Sequence, residues 1–266
     1  MTNHALQANK NVIITGASTG IGNALARLMA SKGYRVGLIA RREDLLKNLC
    51  EDIRSKGGTA FWHACDIKNR LDTREALQKL LDQLGGVDIL VANAGVGAPT
   101  TLEPFNIEDQ ESMIMVNLLG VIYSIEGVLP WMLKNQQGQL VAISSLAAFK
   151  GLPGESGYTA SKAGLNTFME GLRIQCKPRG IHVSTICPGF IKTPMTAINN
   201  FEMPWVMEAE QAAEIILNGI NKKVAVLRFP WQTSLLMRVV SWLPDWIVER
   251  IMRKYNEEPP LPKNPL

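Results

Sequence analysis

The chain has 266 residues, 46% of them hydrophobic, which is ample for one domain with a buried core. Its 28 basic and 24 acidic residues leave a formal charge of +4, spread along the sequence without a basic block, and this argues against a nucleic-acid partner. Four cysteines (Cys50, Cys65, Cys176, Cys187) and three histidines (His4, His63, His182) show no C-x-x-C or metal-ligand spacing. No metal is expected, and the cysteines read as small buried side chains in a reducing compartment. The first ten residues are polar and lack the apolar h-region of a secretory signal, and no apolar run reaches the roughly 18 residues of a membrane span. A cytoplasmic location is the expectation.

In chain order, Asn11-Val12-Ile13-Ile14-Thr15 reads as a short buried strand that runs into Gly16-Ala17-Ser18-Thr19-Gly20-Ile21-Gly22. Ala24, Leu25, Ala26, Leu28, Met29 and Ala30 then carry a helical apolar pattern. Strand, glycine-rich turn and helix form the phosphate-binding opening of a dinucleotide fold. Glycines let the backbone approach a pyrophosphate, and the helix start offers unpaired N–H groups. Further strands are expected near 35–40, 60–64, 87–92, 139–144, 181–187 and 223–228, with helices near 21–32, 43–56, 70–84, 107–135, 158–178 and 208–220. Such alternation predicts an α/β fold: a parallel sheet of about seven strands, doubly wound with helices on both faces, in a single domain with its core over 10–230. Thr15, Asn93, Ser145 and Pro188 each follow a predicted strand, so they should gather at the crevice beyond the strand ends.

Tyr158 precedes Lys162 by four residues, which puts both on one face of a helix. A phenol with pKa ~10 is a poor acid–base group near neutrality, and an adjacent ammonium stabilises the phenolate. The pair Ser144-Ser145 closes an apolar run upstream of the tyrosine. Strand alternation points the two serines to opposite faces.

Together these residues resemble the short-chain dehydrogenase/reductase family over roughly residues 10–195. Thr15 to Gly22 is similar to its T-G-x-x-x-G-x-G cofactor turn, and Asn93-Ala94-Gly95 to its N-A-G motif. Asn117, in the apolar segment Met113 to Leu119, stands at the place of its catalytic asparagine. Ser145, Tyr158 and Lys162 match its serine and Y-x-x-x-K pair, Ser145 being preferred to Ser144 for its spacing from the tyrosine. Pro188-Gly189 followed by Thr193 resembles its P-G-x-x-x-T stretch bordering the nicotinamide. The resemblance implies a Rossmann-type fold, a homodimer or homotetramer, and an NAD(P)-dependent oxidoreductase interconverting a carbonyl and an alcohol. In that scheme Tyr158 is the general acid/base, Ser145 polarises the reacting oxygen, Lys162 holds the nicotinamide ribose, and Asn117 fixes a relay water. A cofactor-binding regulatory or scaffold protein without turnover is the alternative, disfavoured because the tyrosine and lysine are both present.

An acidic residue at the end of the second strand would favour NAD(H). Here Arg35-Val36-Gly37-Leu38-Ile39 ends in Ala40-Arg41-Arg42, and two guanidiniums suit a 2′-phosphate, so NADP(H) is expected over NAD(H). Ser18 could add a hydrogen bond, whereas Thr19 stands where some NADP-using relatives carry a basic residue. Asp66 and the backbone of Ile67 resemble the adenine-contacting pair of the family, and Gly16, Ser18, Thr19, Gly20, Ile21 and Gly22 would line the phosphates.

The segment of about 193–207, rich in Met, Phe and Trp, corresponds to the family's substrate lid and favours an apolar or lipid-like guest. Residues 231–255 read as two short amphipathic helices broken at Pro244, with Trp231, Trp242 and Trp246 among aliphatic residues and Arg238, Arg250, Arg253 and Lys254 interspersed. Packing on a sister subunit or over the cleft is the first expectation for this segment, and peripheral contact with a membrane surface the second. Residues 256–266 read as a loose tail.

Overall fold

The computed structural model describes residues 9–198 and 203–252. Residues 199–202 of the expected lid, Arg253, Lys254 and Tyr255, and the tail 256–266 lie outside the described residues.

Seven strands form one parallel sheet: β1 (Asn11–Thr15), β2 (Arg35–Ala40), β3 (Thr59–Ala64), β4 (Ile89–Ala92), β5 (Gly138–Ile143), β6 (Ile181–Pro188) and, after the two short strands below, β9 (Val226–Phe229). Their order is β3-β2-β1-β4-β5-β6-β9, so chain order reverses between β1 and β4. That switch point, beyond the strand C-termini, is where a crevice opens in a doubly wound sheet. Both faces are covered. Val12, Ile14, Val36 and Leu38 pack with α1 (Gly20–Ser31), α2 (Glu43–Ser55) and α7 (Ala209–Asn221). Ile13, Leu90, Leu140 and Ala142 pack with α3 (Arg70–Leu84), α5 (Gly120–Asn135) and α6 (Ser156–Cys176). The period-2 alternation of strand side chains sends neighbours to opposite cores, so the strands read as nearly continuous apolar runs.

The fourth strand starts at Ile89, two residues later than expected, and Asp88 ahead of it bonds Asn11 through both its backbone N–H and its side chain. Its carboxylate accepts from the Asn11 backbone N–H at 2.8 Å. The last strand starts at Val226, not 223: the Val224 N–H still bonds the Gly219 carbonyl at the end of α7, and Lys223 has φ 51, which no strand tolerates. The expected helix 107–135 is α4 (Ile107–Ile114) and α5 joined by a π-helical turn, Met115–Leu119. This continuous segment is long and apolar enough to cross a membrane by length and composition, which corrects the expectation that no such stretch exists. It nevertheless packs as a core helix, with Val116, Val121, Ile125, Val128 and Met132 buried against the sheet.

Two short strands were not foreseen. β7 (Ile191–Lys192) pairs in parallel with β8 (Met207–Glu208), and a Lys192–Glu208 ion pair of 3.1 Å reinforces the clasp. The clasp ties together the two ends of the expected lid. At the C-terminus, α8 (Trp231–Val240) and α9 (Asp245–Met252) flank a break at Pro244, as expected.

Candidate active site

The glycine-rich turn is built by its neighbours as much as by its own residues. Gly16 has φ 67, and a Cβ there would sit 2.6 Å from the Ala94 Cα. At Gly22 a Cβ would meet the Gly16 carbonyl oxygen at 2.4 Å and Asn93 Nδ2 at 2.5 Å. Only glycine leaves room for that approach. Asn93 Nδ2 donates to the Thr15 and Gly16 carbonyls, each at 3.1 Å. The Thr15 hydroxyl in turn accepts from the Asn93 and Ala94 N–H groups at 3.1 and 3.2 Å. The turn after β1 and the loop after β4 are thus one hydrogen-bonded unit at the switch point.

Helix α1 begins there with Thr19 at its N-cap, without a side-chain cap bond or an acidic residue in the first turn. Its first N–H groups, with Gly20, Ile21 and Gly22, therefore present the positive end of the helix dipole to an anion. Thr193 closes on this turn, its Cγ2 lying 3.0 Å from where a Gly20 Cβ would be. Gly189 N–H donates to the Phe229 carbonyl at 2.7 Å, fixing the Pro188-Gly189 corner to β9.

Arg42 reaches back over the turn and donates to the Ser18 and Thr19 hydroxyls at 3.1 and 3.0 Å. The guanidinium thus stands beside Thr19, where a basic residue was expected to be missing. Arg41 is exposed and makes no ion pair among the described residues. Asp66 follows β3, two strands from the turn in the sheet order, and its carboxylate accepts from the Lys68 N–H at 3.1 Å. The Ile67 side chain is buried against Gly120.

Tyr158, Ser145, Lys162 and Asn117 converge beside this unit. Tyr158 lies beside Ser145, whose hydroxyl favours the phenolate and accepts from Ala147 N–H at 3.1 Å. Ser144 turns inward, its hydroxyl donating to the Lys162 carbonyl at 3.3 Å. Lys162 is 4% exposed, and its ammonium donates to the Ile143 carbonyl at 3.0 Å. Burial lowers its pKa from 10.5 to about 8. Burial pushes the Tyr158 phenol above its ordinary value, the Ser145 hydroxyl opposes that, and the nearby Glu155 charge adds to it. The Lys162 ammonium lies 5.9 Å from the tyrosine ring centroid, so the i, i+4 spacing does bring the cation beside the ring, and one of its three N–H groups is bonded to Ile143.

Asn117 sits fully buried in the π-helical turn. Its Oδ1 accepts from Val96 N–H at 2.9 Å, and its Nδ2 donates to the Val96 carbonyl at 2.9 Å and to Ser161 Oγ at 3.0 Å. Ser161 Oγ donates to the Tyr158 carbonyl at 2.7 Å. The asparagine thus pins the loop after β4, Gly95 included, to the helix that carries the tyrosine; a Cβ at Gly95 would lie 3.2 Å from Asn117 Oδ1 and 3.5 Å from Lys162 Nζ. Such an arrangement can hold a carbonyl or hydroxyl oxygen between two hydroxyls with a cation behind them.

Several contributors went unnoticed in the sequence. Thr15 and Ser161 belong to quoted motifs, and their hydroxyls show no chemistry until the loops meet. Glu155, at the N-cap of α6, has its carboxyl raised by burial from 4.5 to about 7. Gly97 lies next to both Tyr158 and Met195: a Cβ there would lie 3.6 Å from the tyrosine ring and 3.7 Å from the Met195 sulfur.

The family model described as short chain dehydrogenase matches residues 10–203. An oxidoreductase of Myxococcus xanthus is 38% identical, over 92% of this chain and 97% of its own length. A 3-oxoacyl-[acyl-carrier-protein] reductase of Bos taurus is 35% identical, over 73% of this chain and 81% of its own. Among solved structures, an alcohol dehydrogenase from the archaeon Thermococcus sibiricus, complexed with 5-hydroxy-NADP, superposes with TM-score 0.75 at 28% identity, covering 83% of this chain and 94% of that one.

Proposed function

The chain belongs to the short chain dehydrogenase family, as an oxidoreductase acting on CH–OH groups, and on that premise we propose that it uses NADP(H) in preference to NAD(H) to interconvert an apolar ketone or aldehyde and its alcohol. The observation that carries this reading is the joining of two units: the Tyr158–Ser145 hydroxyl pair and the glycine-rich turn share the loop 93–97.

The residues fit a dinucleotide. The uncapped start of α1 suits a pyrophosphate, Ala40 leaves no carboxylate to repel a 2′-phosphate, and Arg42 places a guanidinium over the Ser18 and Thr19 hydroxyls. Arg41 and Arg42 would hold that phosphate, Asp66 and Ile67 the adenine, Asn93 to Gly95 and Lys162 the ribose side, and Pro188, Gly189 and Thr193 the nicotinamide end. When bound, the cofactor supplies or accepts a hydride. The chain's own part is the proton. In the reductive direction Tyr158 donates its hydroxyl proton to the carbonyl oxygen, and Ser145 hydrogen-bonds the same oxygen so that developing charge is met by a fixed dipole. Lys162, a buried cation, favours the phenolate left behind, and Asn117 keeps the loop and the helix in register for proton return.

Met195 against Gly97, which also borders Tyr158, with Trp205 and Val206 half exposed in the lid, supports an apolar guest. The 3-oxoacyl reductase among the relatives adds acyl ketones to the candidates. A homodimer or homotetramer and a cytoplasmic setting complete the proposal.

Fluorescence titration of NADPH and NADH against the parent and the Arg41→Ala/Arg42→Ala variant tests the cofactor. Each charge-assisted contact is worth about 1.5–3 kcal/mol, so NADPH should weaken tenfold or more while NADH changes little. Equal losses for both would make the arginines bystanders. A screen of NADPH oxidation across aldehydes, ketosteroids, retinoids and acyl ketones tests the substrate class; turnover confined to polyols would overturn it.

A further inference from the structure

Trp231, Leu235, Val239 and Trp242 are 70%, 55%, 54% and 85% exposed. Their steps of four, four and three residues put them on one stripe of α8 and of the turn that continues it, where the Trp242 N–H bonds the Val239 carbonyl. Arg238, exposed, flanks that stripe. On α9, Trp246 (68% exposed) and Arg250 share a face at i, i+4, while Val248 turns inward to 6%. Two acids lie in this region, both exposed. Asp245 pairs with Lys150 at 2.9 Å, and Glu249 lines a cavity of about 830 Å³ against Phe149, Lys150 and α6. Neither Arg238 nor Arg250 has an ion-pair partner among the described residues. The exposed side chains of α8 and α9 therefore combine tryptophans and aliphatic residues with cations that no described residue pairs.

We propose that the outward face of α8 and α9 docks on an anionic lipid surface. Tryptophan favours the headgroup boundary, where the ring is half dehydrated and its N–H stays bonded. Aliphatic residues on the same stripe add buried area, and Arg238 and Arg250 meet lipid phosphates. Charge decides between this and a second copy of the chain. A two-fold contact through so short a patch sets the same arginines of both copies near one another, whereas headgroups supply the missing counter-charge. The inference does not depend on which carbonyl the enzyme reduces.

The test uses the full chain and vesicles of phosphatidylcholine, alone or with roughly a third phosphatidylglycerol, where each arginine near the surface contributes about 1 kcal/mol. Sedimentation should carry the parent down with the anionic vesicles, less with the neutral ones and less in high salt. Tryptophan emission should shift to the blue on binding. Trp242→Ser/Trp246→Ser and Arg238→Gln/Arg250→Gln should each lower the partition coefficient roughly tenfold or more. Their NADPH titrations should match the parent, which shows that the fold and the site are intact. A parent that stays in the supernatant with anionic vesicles overturns the proposal, as do variants that sediment like the parent. Light scattering supplies the remaining arm: a larger assembly that both variants dissolve, without lipid binding by the parent, assigns the face to a second copy.

Discussion

At the scale of single residues, the proton chemistry turns on how Tyr158 is surrounded. Its phenol is raised by burial, pulled down by Ser145 and raised again by the Glu155 charge. Tyr158→Phe removes the donor and keeps the ring, so turnover should fall about 10²–10⁴-fold with NADPH affinity nearly unchanged. A loss under tenfold in steady-state assays would take the tyrosine out of the acid–base role. Glu155 gives a pH-dependent prediction. Its folded carboxyl, near 7 against an ordinary 4.5, holds its proton more tightly than in the unfolded chain. Stability from that proton is fully present below 4.5 and is lost as pH rises through about 7. Glu155→Gln should therefore gain melting temperature relative to the parent as pH goes from acid to neutral. The basic limb of its pH–rate profile should also move to lower pH, because a charge that raises the tyrosine is gone. A melting difference flat across that window would show the carboxyl to be solvated.

At the scale of elements, the turn after β1 and the π-helical turn in the 107–135 segment do the positioning. Gly22→Ala drives a methyl into the Gly16 carbonyl and Asn93. Overpacking of this kind costs about 1–3 kcal/mol, and because the turn itself must shift, dinucleotide affinity should fall along with the denaturation midpoint. A variant with parental affinity would show that the turn can yield without disturbing the site. Asn117→Ala strands the Val96 N–H and carbonyl and unties Ser161. Each buried group left unsatisfied costs about 1–3 kcal/mol, so urea denaturation should show a loss of that order alongside the drop in turnover. An extra residue in a helix shifts every later side chain by about 100°, and this allows Asn117 to face the loop while Val121 and Ile125 still face the core.

For the whole molecule, the sheet orders stability from its centre outward. β1, β4 and β5 are flanked on both sides and capped by both cores, while β3 and β9 are edges and Val226 is 44% exposed. Native-state hydrogen exchange should leave the amides of β1, β4 and β5 slowest and release those of β9 and β3 earlier. Exchange in β9 as slow as in β1 would mean that α8 and α9 or a sister subunit cover that edge. Lys150 joins the turn after Ser145 to α9, bonding the Leu243 carbonyl at 3.2 Å and Asp245 at 2.9 Å. The C-terminal helices are therefore attached to the site as well as to the sheet edge.

The sequence by itself determined the alternation of strands and helices, the phosphate turn, and the spacing of Tyr158 and Lys162. Each of these is local: buried parallel strands demand unbroken apolar runs, close backbone approach demands glycine, and a helical period fixes which residues share a face. The family resemblance added Asn117 and the choice of Ser145, which no local rule supplies. The structure then sets these side chains together through bonds that span the chain, such as Asn93 to Thr15 and Asn117 to Val96. Only the tertiary structure decided that the Lys162 ammonium donates to the Ile143 carbonyl, that Arg42 covers Thr19, and that the lid ends are clasped by β7 and β8. It also decided that an acid, Glu155, modulates the tyrosine. Burial and through-space charge depend on what packs around a group, and that information exists only once distant segments have met.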